Sequence, residues 1–215
     1  MSNERRFEEM AKSVIDGLPD QARALAEDAL QAGIEPLEAI DKGFKPGMDV
    51  VGEGFASGEL FIPDLMMSGE AMKAAIAALE PELMKRQEQR QVLGKVVIGT
   101  VKGDLHDIGK NLVVMMLESA GFEVHNLGVD IAPEDFVKAI KEKEPNLLAL
   151  SALLTTTMTM MKQTIDAVTE SGLRERVKVM IGGAPVTLQF ADEIGADGYA
   201  PDAGSASKLA KALLQ

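Results

Sequence analysis

Apolar positions in the first 90 residues recur at helical spacing. Phe7, Met10, Ala11 and Val14 form one stripe, and Ala22, Leu25, Ala29 and Leu30 form the next. Gly17 and Gly33 mark helix ends, and Pro19 and Pro36 mark the starts that follow. The pattern predicts a short helix from Pro36 to about Lys42 and another from about Pro46 to Ser57. A long helix starts near Pro63-Asp64 and carries Leu65, Met66, Ala71, Met72, Ala75, Ile76 and Leu79 as its apolar stripe. Four or five such helices on short connections make a bundle. The charged stretch 85–91 reads as a linker, which divides the chain into residues 1–90 and 91–215.

Beyond the linker the period changes. Short apolar runs at 95–101, 123–128, 147–152, 177–182 and 197–200 alternate with helical patterns at 109–120, 133–143, 157–171, 187–194 and 204–214. Five strands alternating with five helices predict a doubly wound α/β domain, a five-stranded parallel sheet covered on both faces. In the flavodoxin-like strand order, ligands bind where the carboxyl ends of the first and third strands diverge. Three chemically distinct loops meet on that rim. They are Gly103-Asp104-Leu105-His106-Asp107-Ile108-Gly109-Lys110-Asn111 after the first strand, Ser151 to Thr157 after the third, and Gly182-Gly183 after the fourth.

Composition narrows the chemistry. The 215 residues carry a net charge of −12 without a run of Lys or Arg, which argues against nucleic acid and anionic membrane as partners. No apolar run is long enough to span a bilayer, and the N-terminal residues do not resemble a signal peptide. The absence of cysteine fits a cytoplasmic location and excludes thiolate zinc sites, iron–sulfur clusters and a Cys nucleophile. Of the two histidines, His125 is expected in the second strand, which leaves His106 as the candidate metal ligand. Asp104, two residues earlier, can reach the second ring nitrogen of that imidazole. Asp107 serves equally well as a functional group or as the cap of the next helix, and the hydroxyls of 151–157 can be helix caps. One imidazole does not hold a free zinc ion, which needs three or four protein ligands. One suffices when a macrocycle fills the other positions of the metal.

Asp104-x-His106-x-x-Gly109, Ser151-x-Leu153 and Gly182-Gly183 resemble the signature of cobalamin-binding domains. Forty-one residues lie between the first two parts and 28 between the last two. The stretch Gly52-Glu53-Gly54-Phe55-Ala56-Ser57-Gly58-Glu59-Leu60-Phe61-Ile62-Pro63 resembles the helical cap that precedes this domain in corrinoid methyltransferases. The resemblance covers nearly the whole chain. It implies that His106 replaces the cofactor's dimethylbenzimidazole as lower cobalt ligand, with Asp104 and then Thr157 continuing a hydrogen-bonded relay. It implies further that Gly103, Leu105, Asp107 and Gly109 belong to the cofactor-binding loop. Ser151, Leu153, Thr155, Gly182 and Gly183 would line the slot for the nucleotide tail, with Ala203 a looser match. Phe55, Ile62 and Leu65 would cover the upper face of the corrin, although bundle core would use the same side chains.

With bundle and sheet using the whole length, neither a substrate barrel nor a cysteine-based zinc site is available. The expected role is therefore a methyl carrier rather than a complete enzyme. It would take a methyl group from a substrate-specific methyltransferase and pass it to a second, which serves a thiol or tetrahydrofolate. A reductive activating protein would be a further partner, and the cap would open about the 85–91 linker. The runs around Ser151, Gly182 and Ala196 resemble carriers of methylamine and glycine-betaine systems, with methanol and aryl methyl ether carriers as alternatives. A cobalamin-dependent sensor would need a basic DNA-binding segment, and a flavodoxin-like electron carrier would need flavin-stacking aromatics.

Overall fold

The computed structural model describes residues 2–85 and 92–215. The chain divides into two compact units, Met1–Gln91 and Val92–Gln215. The N-terminal unit contains α1 (Asn3–Ile15), α2 (Pro19–Gln31), α3 (Pro36–Glu38), a π-helical turn (Ala39–Phe44), α4 (Lys45–Ser57) and α5 (Ile62–Lys85). Small residues line the buried face of α2, namely Ala22, Ala26 and Ala29, so the long helix α5 packs closely along it.

The break expected near residue 43 is absent. α3 runs through the π-turn into α4, and the Lys45 N–H bonds to Ile40 C=O, five residues back. A wider turn just before Pro46 accommodates a ring that has no N–H and clashes with the preceding carbonyl in an α-helix. α5 begins with Asp64 Oδ2 accepting from the Phe61 N–H at 2.8 Å, half of a capping box. Its buried stripe contains Leu65, Ala71, Met72, Ala75 and Leu79. Met66, expected in that stripe, is 49% exposed, because the helix phase set by Leu65 and Met72 turns it outward. The linker proposed at 85–91 lies, from residue 86 onward, outside the described residues.

The C-terminal unit contains β1 (Lys95–Thr100), β2 (Glu123–Asn126), β3 (Leu147–Ser151), β4 (Lys178–Gly182) and β5 (Gly198–Ala200) in the order β2-β1-β3-β4-β5, every pair parallel. Its helices are α6 (Ile108–Ala120), α7 (Pro133–Lys143), α8 (Met158–Glu170), α9 (Leu188–Ile194) and α10 (Ala203–Leu213), with a short 3₁₀ turn at Arg174–Arg176. Alternate side chains of each central strand enter different cores. Val97, Leu148, Leu150, Val179 and Ile181 join Phe136, Met161, Ile165 and Ala191 from α7, α8 and α9. Val96, Ile98, Leu147, Ala149 and Met180 join Leu117 of α6 and Ala206 and Ala210 of α10. Burial on both faces explains why these strands read as unbroken apolar runs. Gly99 in β1 supplies room for the Phe136 ring, whose Cε1 would lie 2.8 Å from a Cβ there.

The register sets out the rim. Thr100, Ser151, Gly182 and Ala200 are successive cross-strand partners at the carboxyl ends of β1, β3, β4 and β5. The loops after β1 and β3 therefore begin side by side, and β2 lies on the other side of β1.

Phe136 has no exposed surface, so Phe136→Ala should destabilise the C-terminal unit by about 3–5 kcal/mol. Because the chain has no Trp, urea unfolding followed by circular dichroism is the suitable measurement.

Candidate cofactor-binding site

The site is built on one carboxylate. Asp104 follows β1, has no exposed surface, and accepts hydrogen bonds at both oxygens. Oδ1 accepts from His106 Nδ1 at 2.6 Å and from the His106 N–H at 3.1 Å. Oδ2 accepts from the Leu153 N–H at 2.8 Å, the Leu154 N–H at 3.1 Å and the Thr157 hydroxyl at 2.8 Å. Burial by itself would raise the carboxyl pKa. The bonds from the His106 ring, the Leu153 N–H, the Thr157 hydroxyl and the His106 N–H outweigh it, and they hold Asp104 well below the usual carboxylate range. An ionised Asp104 makes Nδ1 of His106 the protonated nitrogen and leaves the Nε2 lone pair free. Among the described residues Nε2 has no hydrogen-bond partner, and the His106 side chain is 50% exposed.

Thr157 occupies the N-cap position of α8, yet its side chain makes no cap bond. Its hydroxyl lies 2.8 Å from Asp104 Oδ2 and 2.9 Å from the Leu154 C=O, so its single proton has two acceptors. Asp107 likewise stands at the N-cap of α6 without capping it through the side chain. Its Oδ2 accepts from Asn111 Nδ2 at 3.0 Å, which corrects the capping role offered above.

Around this tether the rim exposes large apolar side chains. Leu105 and Ile108 flank His106 in sequence and are 71% and 72% exposed, and Leu153, Leu154 and Leu188 are also exposed. Thr155 is exposed, Ser151 and Gly182 are half-buried, and Gly109 has open space where a side chain would stand. At Gly183 the backbone has φ +136°, and a Cβ would fall 1.8 Å from the Ala152 carbonyl oxygen, so β4 leaves the sheet against β3 without a side chain between them. Ala203 opens α10 and is buried, which leaves it little surface for a ligand.

In the N-terminal unit, Phe55 is half-buried and Ile62 exposed. Leu65, expected on the ligand-covering surface, is instead fully buried; the exposed apolar side chains beside it are Phe61, Met66 and Met67. Helical periodicity alone does not separate a face turned to a ligand from one turned to a neighbouring helix.

The rim also contains residues not anticipated above. The buried Thr100 hydroxyl donates to the His106 C=O at 2.9 Å. Lys110, also buried, donates from Nζ to Asn111 Oδ1 at 2.7 Å and to Asn126 Oδ1 at 2.9 Å, which ties the start of α6 to the end of β2. Burial pushes the Lys110 ammonium below its ordinary pKa, and the Asp107 carboxylate opposes that shift. Asp130 Oδ1 accepts from the Gly103 N–H at 2.7 Å. The one available signal was topological: the polar residues after β2 end at the same rim as the motif. His125 sits in β2 with Nε2 3.1 Å from Glu123 Oε1, outside this network.

Among the described residues no group of three or more His, Cys, Asp or Glu side chains could hold a metal ion. One tethered imidazole amid exposed apolar side chains, with open space at Gly109, instead fits a metal that arrives in its own macrocycle. A cavity of about 500 Å³ lined by Asn146, Arg174, Lys178 and Asp197 lies at the amino ends of the strands, opposite the motif. The Arg174–Asp197 ion pair at 2.7 Å spans part of its lining. Among the described residues no helix is long and apolar enough to cross a membrane.

The structure is that of a parallel α/β domain with one carboxylate-tethered imidazole at the carboxyl rim of its sheet, preceded in the chain by a helical unit. Two family models, each described as a B12 binding domain, match residues 94–207 and 6–80. The chain is 48% identical to trimethylamine corrinoid protein 2 of Methanosarcina mazei over 206 residues, 95% of this chain and 94% of that one. It is 46% identical to the dimethylamine corrinoid protein of Methanosarcina barkeri, with both chains fully covered. Among solved structures, the methanol:cobalamin methyltransferase complex MtaBC of Methanosarcina barkeri superposes with a TM-score of 0.88 at 31% identity, covering 99% of this chain and 81% of that one. The chain belongs to the corrinoid protein family with B12-binding domains.

Asp104 is held low, so its contribution to stability is complete above the unfolded-state pKa of about 3.9 and is lost as pH falls toward the folded value. Asp104→Asn should cost about 3 kcal/mol at pH 7, with the gap to wild type closing under acid in paired urea titrations. Gly183→Ala should cost about 3 kcal/mol or more, read the same way, from clash and left-handed strain together.

Proposed function

We infer that this chain carries a methyl group on a bound corrinoid between two methyltransferases and that its methyl donor is a methylamine. The observation that carries the reading is the His106–Asp104 pair, in which a fully buried carboxylate fixes the imidazole tautomer at 2.6 Å and leaves Nε2 free. Full-length identity of 46–48% with proteins named for trimethylamine and dimethylamine supports the donor class. The methanol system shares the fold at 31% identity, so the fold by itself does not distinguish donors.

The corrinoid, when bound, supplies a cobalt centre that accepts a methyl group and gives it up as a cation equivalent. His106 would be its lower axial ligand through Nε2. Asp104 orients the ring and compensates an imidazolium whenever Nε2 carries a proton, and Thr157 holds the far oxygen of Asp104. Gly103, Leu105, Asp107 and Gly109 would shape the loop beneath the macrocycle. Ser151, Leu153, Thr155, Gly182 and Gly183 would line the slot for the nucleotide tail, with Ala203 at its margin. Gly183, whose main chain packs against the Ala152 carbonyl with no side chain between, would hold the loop after β4 close to that after β3.

From the helical unit, Phe55 and Ile62 would shield the upper face from water, with Leu65 supporting them from the bundle interior. The partners would be a substrate-specific methyltransferase, a second methyltransferase serving a thiol or tetrahydrofolate acceptor, and a reductive activating protein. This chain would work in the cytoplasm.

Absorption spectra of the full chain reconstituted with hydroxocobalamin test the reading. His106→Ala should shift the spectrum to that of a cofactor lacking the histidine ligand. A spectrum identical to wild type would exclude His106 as axial ligand.

A further inference from the structure

We propose that Asp130 is a positioning residue for the lower axial ligand, acting through the main chain of Asp104. The proposal rests on the axial-ligand reading of His106 and adds to it the part that fixes the loop from the β2 side. Asp130 makes two bonds to adjacent residues of the motif. Its Oδ1 accepts from the Gly103 N–H at 2.7 Å, and its own N–H donates to the Asp104 C=O at 3.1 Å. Asp104 is thus held by its carboxylate on the β3 side, through Leu153, Leu154 and Thr157, and by its main chain on the β2 side, through Asp130. Since His106 Nδ1 rests on Asp104 Oδ1, a displacement of the Asp104 main chain moves the imidazole.

The backbone at Asp130 singles the residue out. It has φ +57°, a left-handed conformation that Glu144 alone shares among the described non-glycine residues. Glu144 ends α7, where a left-handed residue closes a helix. Asp130 closes no helix and has an exposed side chain, so core packing does not account for it. Asp tolerates this region better than most residues, but Gly would hold it without strain. An acidic side chain stands where the backbone favours glycine, and the work it does there is to accept the Gly103 N–H.

Two substitutions separate this role from a structural one. Asp130→Gly keeps the Asp130 main-chain bond and relieves φ but removes the acceptor. Asp130→Asn keeps an acceptor oxygen and tolerates the backbone. The full chain, loaded with cob(II)alamin, is examined by electron paramagnetic resonance for nitrogen splitting from the histidine. The cofactor-free chain is examined for amide exchange at Gly103 and for its thermal midpoint.

Asp130→Gly should lower the ratio of histidine-ligated to unligated cofactor about tenfold and speed Gly103 exchange, without a lower thermal midpoint. Asp130→Asn should keep the wild-type ratio. A wild-type ratio in Asp130→Gly, beside a His106→Ala control that has lost the splitting, overturns the proposal and leaves the axial-ligand reading intact. Equal loss in Asp130→Asn and Asp130→Gly overturns it as well, since the bond needs only an acceptor. If His106→Ala keeps the splitting, the axial-ligand reading fails and the proposal fails with it.

Discussion

A buried carboxylate without a positive partner is costly, and Asp104 is tolerable only because every direction around it supplies a donor. Those donors come from its own loop, from the two amides after β3 and from the hydroxyl of Thr157 at the N-cap of α8. The loops after β1 and β3 therefore hold each other in place, and they can meet because the register sets Thr100 beside Ser151. His106 is oriented by the same arrangement. A negative charge kept out of water and satisfied by dipoles binds the imidazole more firmly than a surface pair would.

Several side chains at the rim give up ordinary local roles to serve this centre. Thr157 and Asp107 stand at helix N-caps, and neither caps its helix through the side chain. Thr187 and Asp202, at the starts of α9 and α10, do make such bonds, to the Phe190 and Ser205 amides. Helix starts after β4 and β5 are thus capped by their own side chains, while Asp107 turns to Asn111 along α6 and Thr157 is drawn into the tertiary bond with Asp104. Lys110 follows the same logic, as a buried cation whose ammonium joins α6 to the end of β2. Local rules give way where the site needs the groups elsewhere.

The site is suited to holding a reactive group rather than to completing a reaction with side chains. One ring nitrogen is left open, and leucine and isoleucine side chains are exposed in the loops around it. Such a surface accepts a large flat ligand through apolar contact and a single directed bond. A carrier that docks on different partners gains from this economy, because each partner brings its own chemistry to the exposed side.

Periodicity alone determined most of the architecture: a helical half, then alternating strands and helices. Strands buried on both faces must be apolar throughout, and parallel strands require crossovers long enough to be helices. The Asp104-x-His106 spacing showed which carboxylate could reach the ring, and the lack of cysteine limited what metal chemistry was open. The sequence did not show that the helices on either side of Phe44 run on through a π-turn, because Gly43 and Pro46 read locally as a break. It placed Met66 in the core stripe and left Leu65 open to two roles, since helix phase is settled by the neighbours a helix packs against. Asp107 and the hydroxyls of 151–157 could equally read as caps, because capping is a local preference. Asp107 instead accepts from Asn111 one turn along its own helix, and Thr157 bonds to Asp104, 53 residues away, as the resemblance implied. The bond of Lys110 to Asn126 and those of Asp130 to Gly103 and Asp104 could be recognised only once β2 lay beside β1, because they join segments that share no motif.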